Sequence, residues 1–135
     1  MCKVKLLNIV NVHDCGTLIN PALAEAQVHG GMSMAIGYGL SEELKFDEKT
    51  GKPLNNNLLD YKLSTFMDHP RLRAFFVENP EPTSAFGTKA LGEPPTCSVA
   101  PAIRNAVYQA TGVFVNEAPV NPHILFRRFK EEGLI

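Results

Sequence analysis

An α+β fold is what this sequence predicts, and three observations predict it. Residues 4–12 and 71–77 are runs rich in β-branched and aromatic residues, each closed off by turn residues or prolines. Two Asn-Pro pairs, Asn20-Pro21 and Asn121-Pro122, stand in front of stretches with helical spacing. The two kinds of element are mixed without βαβ regularity, which separates this pattern from a parallel α/β protein.

Taken in order, residues 4–12 suit a strand, and Asp14-Cys15-Gly16-Thr17 supplies the turn after it. A helix follows from Pro21 towards Gly37 or Gly39, because an Asn side chain can cap orphan backbone N–H groups and Pro costs nothing at the first position. Residues 40–46 read as a further strand, with residues 47–51 as a turn and a hairpin-like return behind it. The strand at 71–77 is entered from His69-Pro70 and left through Asn79-Pro80-Glu81-Pro82. Residues 79–95 form the longest aperiodic stretch, and a loop of that length in a compact domain is usually functional or disordered, which makes it the place to look for chemistry. Val99, Ile103, Val107 and Ala110 then give a helical stripe with Pro101 in its first turn and Gly112 as the C-terminal cap. A last helix starts at Asn121-Pro122.

The 135 residues are 44% hydrophobic and 20% charged, which fits one globular domain over residues 1–135. Thirteen Lys and Arg against fourteen Asp and Glu give a net charge of −1, without the basic excess that a nucleic-acid surface requires. The first residues lack the continuous apolar run of a signal peptide or a membrane span, so neither nucleic acid nor membrane is an expected partner and a cytoplasmic location is expected. Cys2, Cys15 and Cys97 are odd in number and form no CxxC pair, which points to free thiols.

The segment Gly87-Thr88-Lys89-Ala90-Leu91-Gly92-Glu93-Pro94-Pro95 is the most unusual in the chain. Glu93 stands where a phosphate loop would carry lysine, so a nucleotide P-loop is excluded. What remains is a carboxylate between a flexible glycine and two rigid prolines, able to serve as a general base or as a helix-capping acid. The first helix is rich in small residues, Ala22, Ala24, Ala26, Gly30, Gly31, Ala35 and Gly37. Adjacent glycines cost helix stability, so Gly30-Gly31 asks either for tight packing or for a ligand lying close. His13-Asp14-Cys15 is a poor catalytic group, because neighbours on an extended chain face opposite ways. Glu25 and His29 have the spacing of a surface pair, His69 and His123 suit loop or cap positions, and Cys97 reads as structural.

Three stretches together resemble one family. They are the helix AEAQVHGGMSMAIGYGLSEEL, the loop FGTKALGEPPTCSVAPAIRNAV at 86–107, and the ending TGVFVNEAPVNP at 111–122. Their order and spacing are similar to the C-terminal end of the large, molybdopterin-binding subunit of the molybdenum hydroxylases, which include xanthine dehydrogenases and aldehyde oxidoreductases. The resemblance runs from about residue 4 to residue 122 and implies that the chain is a C-terminal fragment of such a subunit. It implies that Glu93 is the base that takes a proton from an oxygen activated at the metal, in oxidative hydroxylation at an electron-poor carbon. Gln27 matches a glutamine that contacts the cofactor, and Gly30, Gly31, Lys89 and Gly92 would line it. No metal-ligating residue is expected here.

The implied cofactor is molybdenum-molybdopterin, with the cytosine dinucleotide form among those open, shared with segments that lie before this region in family members. Implied partners are the remainder of the molybdopterin-binding subunit, iron–sulfur (2Fe-2S) and FAD domains or subunits, and a small-molecule substrate. The GEPPT loop is closest to the xanthine branch, which suggests a purine-like heterocycle. An aldehyde substrate, or a folded remnant serving as an assembly or interaction domain, are the alternative readings. At Ser33-Met34-Ala35 the sequence departs from the glutamine and glycine that many relatives carry. The isolated chain, lacking the other cofactor segments, is expected to be inactive by itself: an excised domain, a truncated product or part of a split subunit.

Overall fold

Pairing between distant segments, rather than local propensity, sets where the strands begin. In the computed structural model, which describes residues 2–135, β1 (Asn8–Asp14) runs parallel to β2 (Arg71–Val77), with Asn8 opposite Arg71 and Asp14 opposite Val77. The partner strand starts directly after Pro70, which has no N–H to give a ladder. The strand expected over residues 4–12 is therefore shifted to Asn8–Asp14, while the one expected over 71–77 is found there.

A parallel pair needs a crossover connection, and α1 (Pro21–Leu40) lies within it. Its start is fixed as the Asn-Pro signature predicts, with the Asn20 side chain accepting from the Leu23 amide at 3.1 Å. The strand expected over residues 40–46 does not form. Residues 40–46 make one antiparallel bridge, Phe46 with Pro53, around a turn in which Asp47 Oδ1 accepts from the Lys49 and Thr50 amides. Pro53 cannot extend that ladder, and the asparagines after it have little strand preference, so the return stays a single bridge.

The remaining elements are helical: α2 (Pro94–Cys97), α3 (Val99–Thr111) and α4 (Pro122–Glu131). Gly112 ends α3 in the left-handed conformation, φ 73°, its N–H bonded to the Tyr108 carbonyl at 2.7 Å. Asn121 caps α4 through the Ile124 amide at 3.0 Å. With both strands and helices present, the class is α+β.

Two cores result. Val28, Met32, Ala35 and Ile36 of α1 meet Val99 and Ile103 of α3, with Ile9, Leu72, Ala74 and Phe76 of the sheet against them. Fully buried side chains of this kind contribute about 1.5–3 kcal/mol each. The second core joins Val107 to Val113, Val115, Val120 and Leu125 of α4. α1 packs against α2, α3 and β2, and β1 meets α2 through the Asn11–Pro95 hydrogen bond. No helix among the described residues is long and apolar enough to cross a membrane.

Candidate functional site

The loop over residues 87–95 is held at two places. At its entry, Gly87 sits at φ 72° and its carbonyl accepts from the Thr17 and Glu81 amides, both at 3.0 Å. The turn after β1 comes so close that a Cβ on Gly16 would lie 2.2 Å from the Gly87 oxygen; Gly16 itself is at φ 68°. Two residues on, the Lys89 amide donates to the Cys15 carbonyl at 2.8 Å, and its ammonium reaches Asp14 Oδ2 at 2.6 Å. The Asp14 carboxylate also accepts from the Gly16 amide at 3.0 Å and from Asn79 at 3.3 Å. The Lys89 ammonium first, then the Gly16 amide, hold its pKa below the usual carboxylate value.

At its exit, Gln27 Nε2 on α1 donates to the Gly92 carbonyl at 2.8 Å. Asn11, a buried polar residue of β1 at 5% exposure, donates to the Pro95 carbonyl at 3.1 Å. Pro95 is itself buried against α1, where a Cβ on Gly31 would come within 2.6 Å of the Pro95 Cβ.

Glu93 stands just past the Gln27–Gly92 bond, at the N-cap position of α2. Its carbonyl accepts from the Thr96 amide at 2.9 Å and the Thr96 hydroxyl at 2.7 Å. Its side chain is exposed and makes no capping hydrogen bond. The capping role is thus played by the backbone, and the carboxylate is left free to act on something else.

Of the residues singled out from the sequence, Glu93, Gln27 and Gly92 come together on one side of the molecule. Gly30 lies one helical turn from Gln27, and a Cβ there would meet nothing within 4 Å. Leu23, Ala26, Gln27, Gly30 and Met34 recur at helical spacing and are all exposed, so this side of α1 is an uncovered shelf. Gly31 faces the other way, and its missing side chain makes room for Pro95. Lys89 spends its charge on Asp14. Among the described residues, no cluster of three or more His, Cys, Asp or Glu could hold a metal ion.

The other histidines and cysteines do not join this group. His13 lies on the inner side of β1 while Asp14 is exposed, as strand alternation requires, and burial lowers the His13 pKa. Cys15 is a buried free thiol whose pKa is raised by burial, which disfavours the thiolate. His29 lies 3.9 Å from Glu25, and His69 Nε2 sits between the Ser33 and Ser64 hydroxyls at 3.1 and 3.3 Å. Cys97 is an exposed thiol rather than a structural one. Asn11 escaped the sequence reading, and Asp14, read there only as a turn residue and a poor catalytic candidate, turns out to hold Lys89. Asn11 shares the parity of the inward-facing Ile9, and a lone polar residue at a core position is the signal that marks it.

Comparisons with known proteins identify the family of the chain. A family model described as molybdopterin cofactor-binding domain matches residues 1–70, just over half of the 135 residues. The chain is 55% identical over 135 residues to the xanthine dehydrogenase molybdenum-binding subunit of Escherichia coli, an alignment covering 100% of this chain and 18% of that protein. It is 34% identical over 119 residues to the aldehyde oxidoreductase molybdenum-binding subunit of Escherichia coli, covering 87% of this chain and 16% of the relative. The crystal structure of quinoline 2-oxidoreductase from Pseudomonas putida 86 superposes with a TM-score of 0.87 at 34% identity, over 94% of this chain and 16% of that one. The chain thus spans less than a fifth of the length of the proteins it matches.

Proposed function

The chain belongs to the molybdopterin cofactor-binding domain family, and from that premise we propose that it is one domain of a xanthine dehydrogenase-like hydroxylase in which Glu93 is the general base. The residues present fit the cofactor: Gly30 leaves the shelf on α1 open for close approach, Gln27 is exposed beside it, and Glu93 has an uncommitted carboxylate. Gln27, Gly30 and Gly92 are the proposed wall, with Gly31 behind it holding Pro95 in place, while Lys89, its charge taken by Asp14, stands at the entry of the loop rather than in the wall.

Molybdopterin, when bound, supplies a redox-active molybdenum that takes up the electrons removed from the substrate carbon. The chain's own contribution is proton transfer and positioning. The Glu93 carboxylate takes the proton from the oxygen nucleophile as that oxygen attacks, and a fixed position keeps it within hydrogen-bond reach. Two prolines and a buried carbonyl contact on the C-terminal side, with the Gln27 amide on the N-terminal side, supply that fixity. The observation that carries the reading is the free carboxylate at an N-cap whose capping is done by backbone alone.

The substrate is a purine-like heterocycle, since the xanthine dehydrogenase subunit is the relative at 55% identity and the aldehyde oxidoreductase subunit stands at 34%. The rest of a molybdopterin-binding subunit completes the cofactor site, which would leave the isolated chain inactive, and iron–sulfur and FAD partners carry electrons away. In the assembled enzyme, Glu93→Gln is expected to lower kcat for xanthine by about 10²–10⁴-fold with molybdenum content unchanged. Normal turnover by that variant refutes the assignment. A higher kcat/KM for benzaldehyde than for xanthine in the wild type moves the substrate to the aldehyde branch.

A further inference from the structure

Nothing so far assigns a function to Asp14, yet its carboxylate is fully engaged. One oxygen takes the Lys89 ammonium at 2.6 Å and the Asn79 amide at 3.3 Å; the other takes the Gly16 N–H at 3.0 Å. The residue sits at the last position of β1, so its backbone is fixed by the sheet. Lys89 lies four positions before Glu93, and its own amide is tied to the Cys15 carbonyl at 2.8 Å. Between it and Gly92, the next tethered residue, lie only Ala90 and Leu91, and Leu91 packs against the first core. With consecutive Cα atoms about 3.8 Å apart, a stretch this short has little freedom once both its ends are fixed.

We propose that Asp14 and Lys89 are a positioning pair that sets where the Glu93 carboxylate stands. The inference rests on Glu93 being the base and deepens that reading. Exposure decides between this role and a merely structural one: the two side chains are 37% and 28% exposed, and ion pairs so open to water do little for stability. Loss of the pair leaves the fold intact and lets the entry of the loop drift, and small misplacements of a reacting group are costly in rate. Asp14 and Lys89 are thus second in line behind Glu93, acting on the reaction only through it.

The test uses the assembled, molybdenum-loaded enzyme with xanthine as the probe. Lys89→Met and Asp14→Asn are each expected to lower kcat by roughly 10-fold to 10²-fold, while KM, molybdenum content and Tm stay near wild type. Lys89→Arg, which keeps the charge, recovers most of the rate, and the double variant is no worse than the poorer single one, because the pair acts as a unit. A second measurement needs no turnover: amide hydrogen exchange at residues 89–93 quickens in Lys89→Met and Asp14→Asn and is restored in Lys89→Arg. Where Lys89→Met does not assemble, Asp14→Asn, which keeps the side-chain shape, carries both readouts. Unchanged kcat with unchanged exchange overturns the pair. Measuring Glu93→Gln alongside separates the two readings. A dead Glu93→Gln beside a normal Lys89→Met removes the pair and leaves the base; a normal Glu93→Gln removes the base, and exchange at 89–93 still decides whether the pair holds the loop.

Discussion

The two ends of the 87–95 loop are held by opposite means. Its entry, against the turn after β1, is a polar and partly exposed joint of left-handed glycines, backbone hydrogen bonds and one ion pair. Its exit, against α1 and the middle of β1, is anchored mainly by buried groups: behind the exposed Gln27–Gly92 bond lie a buried asparagine amide, a buried proline and a glycine that leaves space for it. One end can be loosened by charge and solvent, the other only by changing shape. Glu93 sits between them, so its placement depends on two kinds of physics at once.

The largest effect is expected at the entry backbone. Gly16→Ala puts a Cβ 2.2 Å from the Gly87 oxygen at φ 68°, and left-handed strain plus overpacking lowers stability by about 3 kcal/mol, read by urea unfolding. Next comes the exit, where Asn11→Ala leaves the Pro95 carbonyl without its donor and costs about 2 kcal/mol. If the two ends are separate devices, the losses in the double variant add to within about 0.5 kcal/mol. A strongly non-additive result merges them into one.

Acid distinguishes the ends more gently. The pKa values of Asp14 and Glu81 are both lowered, Asp14 chiefly by Lys89 and Glu81 chiefly by the Thr83 hydroxyl. Groups of this kind stabilise the folded form above their ordinary carboxylate values, and that support is lost as pH falls through the lowered folded ones. Amide protection at residues 87–89 should therefore decline below about pH 4 before protection at 94–96, since Asn11 does not titrate. Simultaneous loss at both ends would mean that the exit has no independent hold. The smallest effect is expected at Gly30, where an added methyl meets nothing. Gly30→Ala should stabilise the chain by up to about 1 kcal/mol, and a loss instead would show that the shelf is already filled from within the chain.

Local features of the fold were legible, and non-local ones were not. Asn20-Pro21, Asn121-Pro122 and Gly112 announce helix ends because capping is chemistry within one turn. The parallel pairing of β1 with β2 joins residues some sixty positions apart, as Asn8 with Arg71, and no periodicity within either strand encodes its partner. The site divides the same way. The glycine and proline setting drew the eye to Glu93, and the resemblance supplied Gln27, but the contacts that give the loop its shape span 65, 75 and 84 positions, in Gln27–Gly92, Asp14–Lys89 and Asn11–Pro95. Gly30 and Gly31 were one question in the sequence. In the fold they have two answers, because a helix turns neighbours about 100° apart.

The two-stranded sheet has a consequence of its own for anyone handling the chain. Its outer side shows Val10, Val12, Phe75 and Val77, each about half exposed, and each strand keeps one unpaired edge. A ladder rim lined with oily side chains recruits whatever extended polypeptide it meets. Extended polypeptide that adds to the sheet therefore does so at one of those two edges, with an apolar face already in place beside it.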